Sequence, residues 1–250
     1  MTDHDLAARL ATEAGALLLG IRNGLAAATA QERKAAGDKG SHDFLMAALT
    51  AECPEDAVLS EEGPIEQADP VRLTADRVWI VDPLDGTREF SELGRTDWAV
   101  HVALWERDGG TGELIAGAVA LPAQGLTLAT PTVAPPCDAP DVPRIVVSRT
   151  RPPTVALEVR EALNGVLVEM GSAGAKVASV IQGLSDVYVH AGGQYEWDSA
   201  APVAVARAAG LHTSRIDGTP LVYNRRDPKL PDLIVCRPEY AEAVLAVTAG

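Results

Sequence analysis

The chain has 250 residues, 47% hydrophobic and 22% charged, which describes an ordinary globular protein able to bury one large core or two modest ones. Lys and Arg number 21 against 35 Asp and Glu, a formal charge of −14. Such a surface repels nucleic acid polymers and anionic membranes, and excludes them as expected partners. It would also repel a phosphate ester, unless bound cations reverse the sign locally. Three scattered cysteines, Cys53, Cys137 and Cys236, have no C-x-x-C spacing, so neither a disulfide framework nor a zinc site is expected. No stretch reaches the ~20 apolar residues of a membrane span, and Thr2-Asp3-His4-Asp5 lacks the basic flank of a signal peptide. The expected location is the cytoplasm.

In chain order, residues 3 to about 30 read as a long helix with Leu6, Leu10, Leu17, Leu18, Ile21 and Leu25 on one face. The tract 26–30 is assigned to that helix, 37–41 to a glycine loop, and 43–52 to a second helix. A short strand, 56–60, enters Glu61-Glu62, and 78–81 reads as a buried strand. Residues 86–92 can start a helix. The segments 98–105, 115–121 and 126–129 read as strands of an antiparallel meander. Residues 130–143 are rich in proline and aperiodic, the best candidate for a division into an α+β part, 1–138, and an α/β part, 139–250. Beyond it come strand 144–148, helix 154–163, strand 166–170, helix 173–183, strand 186–190, helix 199–209, strand 232–236 and helix 239–248. That alternation predicts α/β architecture.

The run Asp82-Pro83-Leu84-Asp85-Gly86-Thr87-Arg88-Glu89-Phe90 carries the chemistry. Two carboxylates follow a buried strand, and Pro83, lacking a backbone donor, is expected to stop it. Gly86 permits close backbone approach to a ligand, and helix amides after it suit a phosphate. An Asp-Gly-Thr after a strand also occurs in haloacid-dehalogenase-type phosphatases, but their paired aspartates stand two apart, and here that position is Leu84. Elsewhere, polar residues that apolar patterning leaves unexplained are Asp38, Glu61, Glu62, Ser172, Lys176, Asp186 and Asp198. Taken alone, Asp198 reads as a helix cap, Glu61-Glu62 as a solvated turn and His101 as a satisfied core histidine.

Together, D-P-L-D-G-T, the upstream Glu61-Glu62 and the downstream Trp197-Asp198-Ser199-Ala200-Ala201 resemble the lithium-sensitive, Mg²⁺-dependent phosphomonoesterases. These include inositol monophosphatases, fructose-1,6-bisphosphatases and 3′(2′),5′-bisphosphate nucleotidases. The resemblance runs from Gly37-Asp38 to Asp217-Gly218 and implies a layered αβαβα sandwich of mixed α/β class. Arg88-Glu89-Phe90 after Asp-Gly-Thr is most like the CysQ-type nucleotidases, which hydrolyse 3′-phosphoadenosine 5′-phosphate. Val147-Ser148-Arg149-Thr150 is similar to their S-R-S-H, and 171–176 to their G-S-S-L-K. Thr150 and Arg151 depart from that pattern, and Gly174 replaces an apolar residue.

By this resemblance, Glu61, Asp82 and the Leu84 carbonyl hold one Mg²⁺. Asp82, Asp85 and Asp198 hold a second about 4 Å away, and a weaker third sits by Glu61. Asp38 and Thr87 are the catalytic pair that accepts a proton from the attacking water. Gly86, Thr87, Arg88, Ser148, Arg149, Ser172, Lys176 and Asp198 are the candidate substrate contacts. The implied partner is a small nucleotide bisphosphate, and a homodimer is compatible with the family. Inositol phosphate or fructose bisphosphate hydrolysis is the nearest alternative, and a catalytically silent sensor on the same fold the other. Relative rates on the three substrates separate these readings.

Overall fold

Two long helices form the first layer, α1 (Asp3–Gly24) and α2 (Ala30–Glu52). The computed structural model describes residues 1–63, 71–110, 112–137 and 139–249; the expected boundary at residue 138 lies outside them. Each helix starts at a threonine, Thr2 or Thr29, paired with an acid three residues on in a capping box. The cap at Thr29 explains one departure from expectation. Residues 26–29 are not helix but the connection between α1 and α2, with the carbonyls of Leu25, Ala26 and Ala28 taken up by the Arg33 guanidinium.

A second departure is larger. The expected loop at 37–41 and the helix from 43 are one stretch of α2. The glycines there serve close packing and not a turn. A Cβ on Gly37 would sit 2.6 Å from Phe90 Cε1 and 2.9 Å from Leu84 Cδ2, and one on Gly40 2.6 Å from Ile21 Cδ1.

The first sheet comprises β1 (Ala57–Ser60), β2 (Arg77–Asp85), β3 (Ala99–Glu106), β4 (Glu113–Leu121) and β5 (Leu126–Ala129), in that order. β1 is parallel to β2 and the rest are antiparallel. Short α3 (Thr87–Ser91) follows β2. The strands alternate as period-two geometry requires. Trp79, Val81, Val100, Val102 and Leu104 pack on α1 and α2, while Val78, Ile80, Ala99 and Ala103 face the opposite way.

The remaining elements are β6 (Arg144–Ser148), α4 (Thr154–Ala162), β7 (Val166–Met170), α5 (Ala173–Ile181), β8 (Val187–Ala191), α6 (Glu196–Ala208), β9 (His212–Ser214), β10 (Asp232–Cys236) and α7 (Ala241–Thr248). The second sheet runs β7-β6-β8-β10-β9. The three-residue β9 is too short to carry a sequence pattern and was not expected. α5 and α6 lie between the sheets in the largest core cluster, and α4 and α7 cover the outer face of the second. The order is α1/α2, sheet, α5/α6, sheet, α4/α7, which is the expected αβαβα sandwich.

The contrast between two helical glycines tests the packing account. Gly37→Val should cost about 1–3 kcal/mol by overpacking against Phe90 and Leu84. Gly20→Ala, with nothing within 4 Å of the added carbon, should leave stability unchanged or raise it by up to about 1 kcal/mol. Denaturant unfolding of both variants checks this; equal effects would contradict it.

Candidate active site

Val78 and Ile80 face the α5/α6 layer, and Asp82 continues their side of β2. Three residues further on, a regular strand would turn Asp85 to the other face. It does not, because the pairing with β3 slips. Asp82 lies opposite His101 and Asp85 opposite Ala99, so three steps on β2 match two on β3. This is a one-residue bulge at Pro83-Leu84, where Pro83 needs no amide partner. The strand therefore does not end at Pro83; it bends and runs to Asp85. The Ser41 hydroxyl on α2 donates to the Pro83 carbonyl at 2.6 Å, the Leu84 amide to Asp82 Oδ1 at 3.0 Å, and the Thr87 hydroxyl to the Leu84 carbonyl at 3.2 Å.

Asp198 arrives from α6. It is the third residue of that helix and not its cap: Tyr195 occupies the cap position, and the Tyr195 amide donates to Asp198 Oδ2 at 2.7 Å. Asp82, Asp85 and Asp198 each place one carboxylate oxygen within 4.8 Å of the others. Glu61, just beyond β1, hydrogen-bonds Asp82. Burial, reinforced by Asp198 and Asp85, pushes Glu61 up to about 7. Burial and Asp85 push Asp198 up to about 6, and Asp82 is raised by burial and the charge of Glu61. Asp85 goes the other way. Burial opposes its charge, but His101, the Ser172 hydroxyl at 2.5 Å and the amides of Gly174 at 2.5 Å and Ala173 at 3.1 Å hold it at about 2.

Asp38 projects from α2 and hydrogen-bonds Thr87; burial and the charge of Glu62 push it up to about 6. The Asp38–Thr87 pair and the aspartate cluster thus meet around the Pro83–Thr87 bend. A cavity of about 620 Å³ opens beside Asp85, Gly86 and Asp198, lined further by Ser148, Arg151, Ser172, Lys176, Tyr188, His190 and Gln194. Lys176, buried and with its pKa lowered by burial, donates to the carbonyls of Gly171 at 3.0 Å and Ser172 at 2.5 Å. A neighbouring cleft of about 290 Å³ contains Arg88, Arg149 and Thr150.

The two arginines there differ. Arg149 is bound to Glu89 at 2.8 Å and Glu92 at 2.7 Å, so its fork is occupied. Arg88 is exposed, with a 3.4 Å contact to the Thr150 hydroxyl and no ion pair to a carboxylate among the described residues. Asp186 lies away from the cluster, held by Arg144 at 2.9 Å and Arg237 at 2.7 Å.

Sequence reasoning missed Arg151, Tyr188, His190 and Gln194 as cavity residues, and it read His101 as plain core. His101 lies in the register position facing Asp82, with Nδ1 3.1 Å from the Trp197 carbonyl and Nε2 3.3 Å from Asp85 Oδ2. Burial disfavours a charged ring, but contact with Asp85 outweighs it and raises the pKa. The alternation of β3 held that signal, since His101 shares a face with Ala99 and Ala103.

A layered α/β sandwich with three aspartates gathered between the end of β2 and the first turn of α6 is the arrangement of a phosphatase scaffold. Residues 4–249 match the inositol monophosphatase family, and the chain belongs to it. It is 51% identical over 256 residues, 99% of this chain and 93% of the relative, to a 3′-phosphoadenosine 5′-phosphate phosphatase of Mycobacterium leprae. It is 32% identical to the 3′(2′),5′-bisphosphate nucleotidase CysQ of Escherichia coli K12, over 77% of this chain and 80% of the relative. The crystal structure of CysQ from Bacteroides thetaiotaomicron, 28% identical, superposes with a TM-score of 0.74 over 93% of this chain and 96% of that one.

The raised carboxylates fix a sign for the effect of pH. Without metal, the folded chain holds protons on Glu61 and Asp198 more tightly than the unfolded chain does. Their contribution to stability is complete below the ordinary carboxylate range and is lost as pH rises through about 6 to 7. A divalent cation bound at the cluster would replace those protons, so its stabilising effect should be largest at pH 8 and shrink toward pH 6. His190, pushed down to about 4 by burial and Lys176, titrates in the opposite sense, so the cation-dependent difference in Tm is the quantity to measure. A difference independent of pH would contradict this account of the cluster.

Proposed function

We propose that the chain is a Mg²⁺-dependent phosphomonoesterase of the cytoplasm that converts 3′-phosphoadenosine 5′-phosphate to AMP and phosphate. The observation that carries this reading is the three-aspartate cluster opening onto the 620 Å³ cavity, in a chain half identical along its length to an enzyme named for that substrate. The donor set suits the metal: Asp82, Asp85, Asp198, Glu61 and the Leu84 carbonyl are all hard oxygens, and three of the carboxylates have raised pKa values that a cation would relieve. Two or three ions are expected, Glu61, Asp82 and Leu84 serving one and Asp82, Asp85 and Asp198 another. When bound they supply positive charge to the phosphate and lower the pKa of the attacking water.

This chain's residues do the rest. Thr87, hydrogen-bonded to Asp38, receives a proton from the water and passes it to a carboxylate whose pKa of about 6 suits general-base work near neutrality. Gly86 adopts φ 84°, and a Cβ there would meet Ser172 Cβ at 2.9 Å, so the backbone lies close against the start of α5. The amides of Gly86 and Thr87 donate to the phosphoryl oxygens. Lys176 spends two donors on carbonyls and has a third for the substrate. Ser148, Ser172 and Asp198 line the cavity for the sugar, Arg151 and, from the neighbouring cleft, Arg88 receive the second phosphate, and Arg149 fixes the wall of that cleft.

The substrate assignment is tested by comparing kcat/KM on 3′-phosphoadenosine 5′-phosphate, inositol 1-phosphate and fructose 1,6-bisphosphate, each with Mg²⁺ and with EDTA. The nucleotide should be preferred and EDTA should abolish turnover. Asp38→Asn should lower kcat by about 10²–10⁴-fold with Mg²⁺ affinity nearly unchanged. A collapse of metal binding instead would make Asp38 a ligand.

Arg88→Ala should cost about 1.5–3 kcal/mol in kcat/KM on the bisphosphate nucleotide and little on a substrate with one phosphate. Equal losses on both would place recognition of the second phosphate elsewhere.

A further inference from the structure

One side chain reaches two members of the aspartate cluster, and the residue before the third, without being part of it. His101 is fully buried on β3, directly across from Asp82 in the strand register. Its Nε2 lies at ion-pair distance, 3.3 Å, from Asp85 Oδ2 and makes no aligned hydrogen bond among the described residues. Its Nδ1 lies 3.1 Å from the carbonyl of Trp197, the residue before Asp198, and 4.0 Å from Asp82 Oδ2. A single imidazole therefore spans the β2 carboxylates and the first turn of α6.

Gly174 makes this possible. A Cβ there would stand 1.9 Å from His101 Nε2, 2.8 Å from Cε1 and 3.0 Å from Asp85 Oδ2. No rotamer adjustment of a ring packed on all sides absorbs an overlap of that size. The Gly174 amide meanwhile donates to Asp85 Oδ2 at 2.5 Å, so α5 cannot simply withdraw without releasing the carboxylate. The apolar residue that the CysQ-type pattern carries at this position could not be accommodated with His101 in place.

We propose that His101 is a positioning residue for the metal ligands, setting the Asp85 carboxylate and, through the Trp197 carbonyl, the turn that presents Asp198, and that Gly174 is its obligatory partner. The role is that of an outer-shell group that orients ligands it does not replace. It rests on the metal reading of the cluster given above. It further makes positions 101 and 174 a coupled pair: a side chain at 174 is tolerated only when the imidazole is gone.

Mg²⁺ binding to the metal-free protein, measured by calorimetry, tests this independently of turnover. His101→Asn should weaken Mg²⁺ about ten- to a hundredfold. The KM for the nucleotide at saturating Mg²⁺ should change less than threefold. Gly174→Ala should weaken Mg²⁺ at least tenfold in the parent chain and less than twofold in the His101→Asn background. In the unsubstituted protein, the ring resonances of His101 should shift on titration with Mg²⁺ and saturate with the calorimetric isotherm, a readout that does not require either variant to fold. Tight Mg²⁺ binding by His101→Asn, additive losses in the double variant, or unmoved His101 resonances would each overturn the proposal. Absence of any Mg²⁺ binding by the parent protein would overturn the metal reading itself.

Discussion

Like charges held together away from water repel, and this protein gathers four carboxylates, two of them buried and two half-buried, at one place. Everything around the site answers to that constraint. The bulge at Pro83-Leu84 puts Asp82 and Asp85 on the same face of β2, which a regular strand could not do at this spacing. The start of α5 then spends two amides and the Ser172 hydroxyl on Asp85 alone. Glu61, Asp82 and Asp198 have no such donor set among the described residues, and their pKa values rise. The asymmetry is informative: one carboxylate is fixed as an anion, and the charge of the others is left uncompensated.

The layers of the sandwich each contribute a piece. Asp38 comes from the outer helix pair, Glu61, Asp82 and Asp85 from the first sheet, Asp198 and the Asp85 anchors from the central helices. Buried arginines stabilise the frame between them. Arg22 donates to the carbonyls of Arg95 and Glu92 and Arg33 to that of Ser91, so cations meet the carboxyl end of α3 while its amino end faces the bend. Arg149 joins the loop after β6 to Glu89 and Glu92 on and beyond α3, tying the second sheet to the first across the cleft. A site assembled from separate layers holds its geometry only when all of them pack, and this links core stability directly to the ligand arrangement.

Much of this was legible in the residues. The alternation of the second half follows from short apolar runs and helical periodicity, and D-P-L-D-G-T with W-D-S-A-A located the cluster. What was not legible depended on long-range contact. Gly37 and Gly40 look like loop residues to any local reading, and only the Phe90, Leu84 and Ile21 side chains pressed against them show why a helix needs them. Pro83 locally signals the end of a strand, but pairing with β3 resumes past it. His101 looks like core until β2 is laid beside β3. Arg149 and Arg88 are equivalent as basic residues in a motif, and the carboxylates that occupy one and leave the other exist only in three dimensions.

The central claim is that the bend in β2 converts Asp82 and Asp85, with Asp198, into a cation site. The most direct measurement is anomalous scattering from crystals of the protein soaked in Mn²⁺, a heavier octahedral substitute for Mg²⁺. The account predicts anomalous density at ordinary coordination distance from oxygens of Asp82, Asp85 and Asp198, with the peak shared by Asp85 lost in Asp85→Asn. Density confined to surface carboxylates, or a cluster that stays without metal at saturating Mn²⁺, would contradict it.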